Sequence, residues 1–301
     1  MNLLKNKKGG VALILVIWIL VILMAIVGEF SYSMRTEINI TRNFKEEEES
    51  YQLALAGIER AKIEILSAKE PLYTYLNKEG ILVFSQEDEN PARKGELGNG
   101  VFSYAITDED GKLNINNASL PQMRYIIKNA GVGITTSVRP DSEIDTIADS
   151  IIDWRDTNDL HMLSGAEEDY YRSLEKPYSC KDGPFDITDE LLLVKGVTPE
   201  IFKGLASYLT SWSSGGVNIN TAPREILETV FGITAAENIL RQRETGPVLT
   251  PVSGGTVNSF FFTVVSTGAT KDGQIKRTVK TTLKKEGKKL EVIYWNDNFI
   301  I

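Results

Sequence analysis

Lys8-Gly9-Gly10-Val11-Ala12-Leu13-Ile14-Leu15-Val16-Ile17-Trp18-Ile19-Leu20-Val21-Ile22-Leu23-Met24-Ala25-Ile26-Val27-Gly28-Glu29 decides how this chain is built. From Val11 to Val27 no polar residue interrupts the run, and at about 1.5 Å per residue it makes roughly 26 Å of helix. The flanking glycines bring the uncharged stretch to spanning length for a bilayer core. Lys5, Lys7 and Lys8 lie on one side and acidic residues on the other, so the short leader is expected in the cytoplasm and the rest of the chain outside a bacterial inner membrane.

The pattern stays helical beyond the apolar run. No proline occurs before Pro71, and Ile38, Tyr51, Leu55, Ile58, Ile65 and Leu66 recur at roughly helical spacing. A nearly continuous helix from Val11 to about Ser67, about 85 Å long, is expected. Arg42, Lys45 and Glu46 to Glu49 read as its solvated face.

Residues 71–100 are polar and loop-like. Val101 to Ile106 reads as a strand, Asp108-Glu109-Asp110-Gly111 as a turn and Lys112 to Ile115 as a return strand. Three more strands are expected at Phe260 to Ser266, Ile275 to Leu283 and Leu290 to Trp295, the first two joined through Lys271-Asp272-Gly273. Strands so far apart in one sheet imply an inserted domain. The intervening sequence is helical and repeats itself. Leu113-Asn114-Ile115-Asn116-Asn117-Ala118 returns as Val217-Asn218-Ile219-Asn220-Thr221-Ala222, each followed by a proline (Pro121, Pro223) and an amphipathic helix. Leu193-Val194-Lys195-Gly196-Val197-Thr198-Pro199 reads as helix, glycine turn, helix.

The formal charge of −8 and pI near 5.0 argue against broad nucleic-acid binding. One cysteine and one histidine rule out an internal disulfide and a Cys/His zinc site.

Small residues before the apolar run, and none of the Ala-x-Ala type after it, resemble a type IV prepilin leader. By that resemblance a prepilin peptidase cuts between Gly10 and Val11 and the new amine of Val11 is methylated. Most pilins carry glutamate at the fifth mature position, where this chain has Leu15. That departure, the two Asn-Ile-Asn-x-Ala segments, Asp153-Trp154-Arg155-Asp156-Thr157-Asn158, Gly165-Ala166-Glu167-Glu168-Asp169-Tyr170-Tyr171 and Pro177-Tyr178 resemble, in that order, the type II secretion minor pseudopilin K family (general secretion pathway protein K). Asn158 and Glu168 stand where the family tends to have Asp.

The resemblance implies an α+β fold: a long N-terminal helix packed on an antiparallel sheet, interrupted by a helical domain of SAM-like or helix-hairpin-helix-type modules. The expected organisation is a leader (1–10), a transmembrane part (11–28) and a soluble part (29–70) of the helix. A pilin-like domain (71–116 and 250–301) then surrounds an insert (117–249) with modules at about 117–212 and 217–247. It implies a non-enzymatic tip subunit acting in pseudopilus assembly and protein export. Its partners would be other minor pseudopilins, inner-membrane assembly components, prepilin peptidase and lipid. A K-like minor pilin of a type IV pilus is the closest alternative.

Asp153, Asp156, Asn158, Asp159, Glu167, Glu168 and Asp169 crowd seven oxygen donors into 17 positions. Hard cations such as Ca²⁺ take six to eight oxygens, and the family resemblance implies structural calcium hereabouts. The expected ligands are Asp156, Asn158, Glu167 and Glu168, with Asp153, Asp159, Asp182 and Asp186 as further candidates. The bland alternatives are a solvated acidic loop, with Glu167 to Asp169 serving a helix N-terminus, and Asp189 or Thr188 as a cap. His161 reads as a surface loop histidine. Val217 to Gly246 also resembles the helix-hairpin-helix module of competence DNA-binding proteins. Its turn, Gly232-Ile233-Thr234, lacks the second glycine, and Glu225, Glu228, Glu237 and Glu244 surround Arg241 and Arg243, which favours packing against protein.

Overall fold

The computed structural model describes residues 7–67, 74–84, 90–129 and 140–300, with side chains from Val11 onward. The leader expected at 1–10 therefore lies outside the described residues except for the backbone of 7–10.

The chain begins with α1 (Lys7–Ser67) and a small pair, β1 (Tyr75–Leu76) with β2 (Leu82–Val83). Next come β3 (Lys94–Leu97), β4 (Gly100–Asp108), β5 (Leu113–Asn114), α2 (Leu120–Asn129), α3 (Asp141–Arg155) and α4 (Glu168–Arg172). A 3-10 turn (Thr188–Leu193) precedes α5 (Pro199–Leu205), β6 (Leu209–Thr210), β7 (Val217–Asn218), α6 (Arg224–Phe231) and α7 (Ile233–Arg243). β8 (Gly255–Thr256), β9 (Phe261–Thr270), β10 (Lys276–Glu286) and β11 (Lys289–Asn296) complete it.

One antiparallel sheet, in the order β11-β10-β9-β4-β3, backs the second half of α1. The helix buries Ala54, Ile58, Ala61 and Ile65 against Tyr104, Ile106, Phe262, Val264, Val279 and Leu283. Each large aliphatic side chain buried there stabilises by about 1.5–3 kcal/mol. Ile38 and Leu66, expected on this face, are exposed; the stripe instead uses the small residues Ala54, Gly57 and Ala61, which let the helix sit close to the sheet. Two ion pairs fasten it at the sides: Arg93 donates to Glu64 at 2.6 Å, and Arg277 to Glu47 at 2.6 Å. The membrane end of α1 is bare. A window of mean hydropathy 3.3 is unburied throughout and is long and apolar enough to cross a membrane.

β4 and β9 are neighbours, with Asp108 opposite Phe262. The chain thus leaves the sheet after Asp108 and returns at Phe261, and everything between packs around a second core containing Ile115, Met123, Ile151, Tyr171, Leu191, Ile219 and Ile239. The expected boundaries shift accordingly. Leu113 and Asn114 do not return along β4. They pair in parallel with Leu209 and Thr210, and Val217 and Asn218 pair with Gly255 and Thr256. Residues 109–116 and 250–260, expected in the sheet unit, belong with the helical core.

The reason lies in Asp108-Glu109-Asp110, which is buried where a solvated turn was expected. Asp108 accepts hydrogen bonds from Asn218, Thr221 and Ser259. Asp110 accepts from the backbone N–H groups of Ser214, Phe260 and Phe261. Glu109 holds Lys112 at 2.9 Å. These carboxylates stitch both crossings of the insert together.

The sequence echo is a structural duplication. Asn114 accepts from the N–H of Asn116, as Asn218 does from Asn220. The Asn116 amide brackets the backbone of Phe185, and the Asn220 amide brackets Val248. Arg155, closing α3, donates to the carbonyls of Ile115 and Ala118; Arg243, closing α7, donates to those of Ile219 and Ala222. The two copies part company after the arginine. The second passes from Arg243 to Val248 in a short turn, whereas the first makes an excursion from Asp156 to Pro184 before reaching Phe185. That excursion carries the acidic loop.

Candidate metal centre

The excursion is pinned at its root by α3. Asp153 is fully buried and accepts from the N–H of Met162 at 3.1 Å, while Asp149 accepts from Ser164 at 3.1 Å. Gly165 has to be glycine, since a Cβ there would fall on the Asp153 carboxylate. Lys195 donates to the Gly165 carbonyl at 2.9 Å and lies 4.9 Å from the Tyr170 ring centroid. Trp154 packs edge-on to Tyr171 at 5.1 Å, with Tyr178 beside both.

Glu167 stands just before α4 and turns inward, only 2% exposed. Neither of its oxygens accepts from any N–H or O–H of the described residues, and Asp182 Oδ1 is likewise buried without a partner. A carboxylate oxygen of each and the Cys180 sulfur lie within 4.8 Å of one another. Burial, with the Asp153 carboxylate nearby, pushes Glu167 up to about 7. A buried, unpaired carboxylate is costly unless protonated or ligated.

The geometry brings some of the expected donors together and sets others apart. Glu167 and Asp182 come together, with Asp153 and Asp156 close enough to raise the Glu167 pKa. Asp156 and Asn158 form a local turn, Asn158 donating to Asp156 Oδ1 at 2.7 Å while its own oxygen accepts from Leu160. Glu168 is not among the clustered donors. It pairs with Arg172 at 2.6 Å and accepts from the Cys180 N–H at 2.7 Å, so it positions the Cys180–Asp182 loop. Asp159 is exposed, and Asp186 pairs with Lys181 at 2.8 Å. Cys180 was missed because an isolated cysteine carries no spacing signal. His161 is half exposed and pairs with Asp169 at 3.0 Å, as a surface loop residue. Arg243, a conceivable phosphate ligand in a DNA-binding module, is committed to its two carbonyls, and Gly232 supplies the turn at φ 83°.

Residues 104–214 match the family described as type II secretion system (T2SS), protein K. Among curated proteins, the type II secretion system protein K of Aeromonas hydrophila is 25% identical over 79% of this chain and 76% of its own length. The putative type II secretion system protein K of Escherichia coli K12 is 23% identical over 72% of this chain and 66% of its own length. That of Pectobacterium carotovorum is 22% identical over 80% and 76%. The family match is confined to residues 104–214, and the three relatives extend the likeness to protein K over 72–80% of the chain. The fold is shared with a chain of the solved GspK-GspI-GspJ complex of enterotoxigenic Escherichia coli, which matches with a TM-score of 0.62 at 15% identity, covering 89% of this chain and all of that one. The protein K match begins inside β4 and ends beyond β6, so it takes in the acidic excursion and its anchors Asp149, Asp153 and Lys195.

Proposed function

We propose that this chain crowns a type II secretion pseudopilus as its K-type minor pseudopilin, acting in pseudopilus assembly and protein export rather than as an enzyme. The observation that carries the reading is the insert placed between adjacent strands β4 and β9. It adds a second core to a unit whose repeat in a thin filament has room for one. Leu15, in place of the carboxylate that would meet a neighbour above, supports the same position. Helix burial beside sister subunits then draws on the exposed apolar residues of α1. The Escherichia coli neighbour is held in a complex with GspI and GspJ, and equivalents of those are the partners proposed here. The globular part would stand in the periplasm, after cleavage between Gly10 and Val11 and methylation of Val11. Deletion of the gene, scoring exported enzymes in periplasm and medium together with pili and twitching, tests the role. Enzymes stranded in the periplasm with motility intact support it. Normal export with lost pili would transfer the chain to a type IV pilus, and lost DNA uptake to competence.

Calcium is the structural cation proposed for the acidic excursion. Glu167 and Asp182 would hold it, with Asp153 and Asp156 adding negative charge alongside; the bound ion would neutralise Glu167, which the fold buries without an N–H or O–H donor, together with the half-buried Asp182. The pH effect has a definite sign. Glu167, at about 7 when folded against an ordinary value of 4.5, stabilises the fold below the ordinary value, and that contribution is lost as pH rises through 7. Asp108, raised to about 7 by burial and by Asp110, acts the same way. In chelator the detergent-solubilised chain should therefore melt lower at pH 8 than at pH 5. Calcium at about a hundred times its Kd adds about 2.7 kcal/mol, a rise of roughly 5–10 °C, and Glu167→Gln should remove most of it. An identical melting curve in calcium and chelator would end the calcium reading.

A further inference from the structure

A pocket for a hard cation does not need a sulfur, yet this one has one. Cys180 is buried, 6% exposed, and its Sγ stands in the same cluster as the Glu167 and Asp182 oxygens. Three features place it there. Glu168 fixes the Cys180 backbone by accepting its N–H at 2.7 Å. The chain then passes through Asp182 in the left-handed region at φ 49°, which brings the next carboxylate back toward the same spot. Glu167 faces both from the α4 side with neither oxygen engaged by an N–H or O–H.

We propose that Glu167, Cys180 and Asp182 form a mixed carboxylate–thiolate site for a thiophilic divalent cation of the zinc class. The proposal rests on the reading of this pocket as a cation site and names a second kind of occupant. Zinc binds thiolate at about 2.3 Å and carboxylate oxygen at about 2.0–2.2 Å. Two ligands of one tetrahedral zinc are then about 3.5 Å apart, so donors already within 4.8 Å are brought to it by side-chain rotation. Three protein donors leave a fourth tetrahedral position for water. On binding, the Cys180 S–H bond breaks, its proton passes to solvent and the sulfur–metal bond forms, with no change of oxidation state. Calcium would use the oxygens and leave the thiol aside, because a hard cation gains little from sulfur. The two cations thus compete for Glu167 and Asp182, and Cys180 alone tells them apart.

Cadmium is the probe, since a cadmium–thiolate bond gives a charge-transfer absorption in the near ultraviolet and Cys180 is the chain's one cysteine. The full chain in detergent, reduced and stripped with chelator, should develop that absorption up to one cadmium per chain. Zinc should reverse it, and calcium should suppress it only in large excess. Cys180→Ser should abolish the absorption and weaken zinc binding by at least about 100-fold, since a direct ligand is worth no less than the groups that support one, while the calcium-dependent rise in melting persists. Glu167→Gln and Asp182→Asn should each weaken cadmium binding while leaving the absorption at saturation. No absorption in the wild-type chain overturns the proposal, as does an affinity for cadmium indifferent to both carboxylate variants, which would describe a lone thiol. A calcium response without cadmium absorption sinks this site alone; loss of both responses sinks the cation pocket itself.

Discussion

Asp110→Ala should destabilise the globular part by about 3–5 kcal/mol, the largest loss expected from a residue far from both the membrane helix and the cation pocket. Asp110 is fully buried and serves four donors: the N–H and hydroxyl of Ser214 at 2.7 and 2.8 Å, and the N–H groups of Phe260 and Phe261 at 2.6 and 3.0 Å. Alanine leaves three part-buried backbone N–H groups without their acceptor, and an unsatisfied buried donor costs about 1–3 kcal/mol. The sum is softened because Asp108 loses the like charge that helps raise its pKa. Asp110 follows the exit of the chain from the sheet and Phe260 and Phe261 mark its return, so the damage is to the joint between the two crossings. Urea unfolding followed by circular dichroism should show the midpoint falling with an unchanged slope. A midpoint within error of the parent would show that the insert is tied on by other means.

Gly268→Val should cost about 3 kcal/mol, at the upper end for overpacking, and in a different place. A Cβ on Gly268 would overlap the Ser50 carbonyl and lie 2.5 Å from Ala54 N and 2.6 Å from Leu53 Cβ. Two of these obstacles are helix backbone, which cannot yield without lifting α1 off β9. The sheet would lose the packing of Ala54, Ile58, Ala61 and Ile65, while the core around Ile115, Ile151 and Ile219 keeps its own contacts. Hydrogen exchange should therefore quicken in β9, β10 and the second half of α1, with α2, α3, α6 and α7 still protected. Uniform loss of protection across both cores would contradict two separable units.

How much of this was legible depended on the range of the signal. The apolar run from Val11 to Val27 fixes a membrane-length helix without help from the rest of the chain, because the requirement is set by bilayer thickness. The alternation in β9 and β10 and the turn at Asp272-Gly273 are equally local. So is the duplicated Asn-Ile-Asn-x-Ala segment, whose asparagines bond two residues along and cap their own turn. Gly57 and Gly268 were illegible. Nothing in either glycine's neighbourhood says that the other element approaches it.

The acidic residues divide the same way. Their crowding between Asp153 and Asp169 was visible in the sequence. Which of them face one pocket was decided by Glu168, whose bonds to Arg172 and Cys180 take it out of the set and bring Cys180 and Asp182 in from beyond α4. Asp108-Glu109-Asp110 looked like any solvated turn, because burial by strands and loops 100 to 150 residues away leaves no mark on three consecutive acids. Sequence alone determined the long apolar helix, the strands β4, β9, β10 and β11, the duplication and the family motifs, each written in neighbouring residues. Tertiary structure decided where the insert begins, which donors meet and which carboxylates lose their water, since those depend on what distant segments bring to the same point.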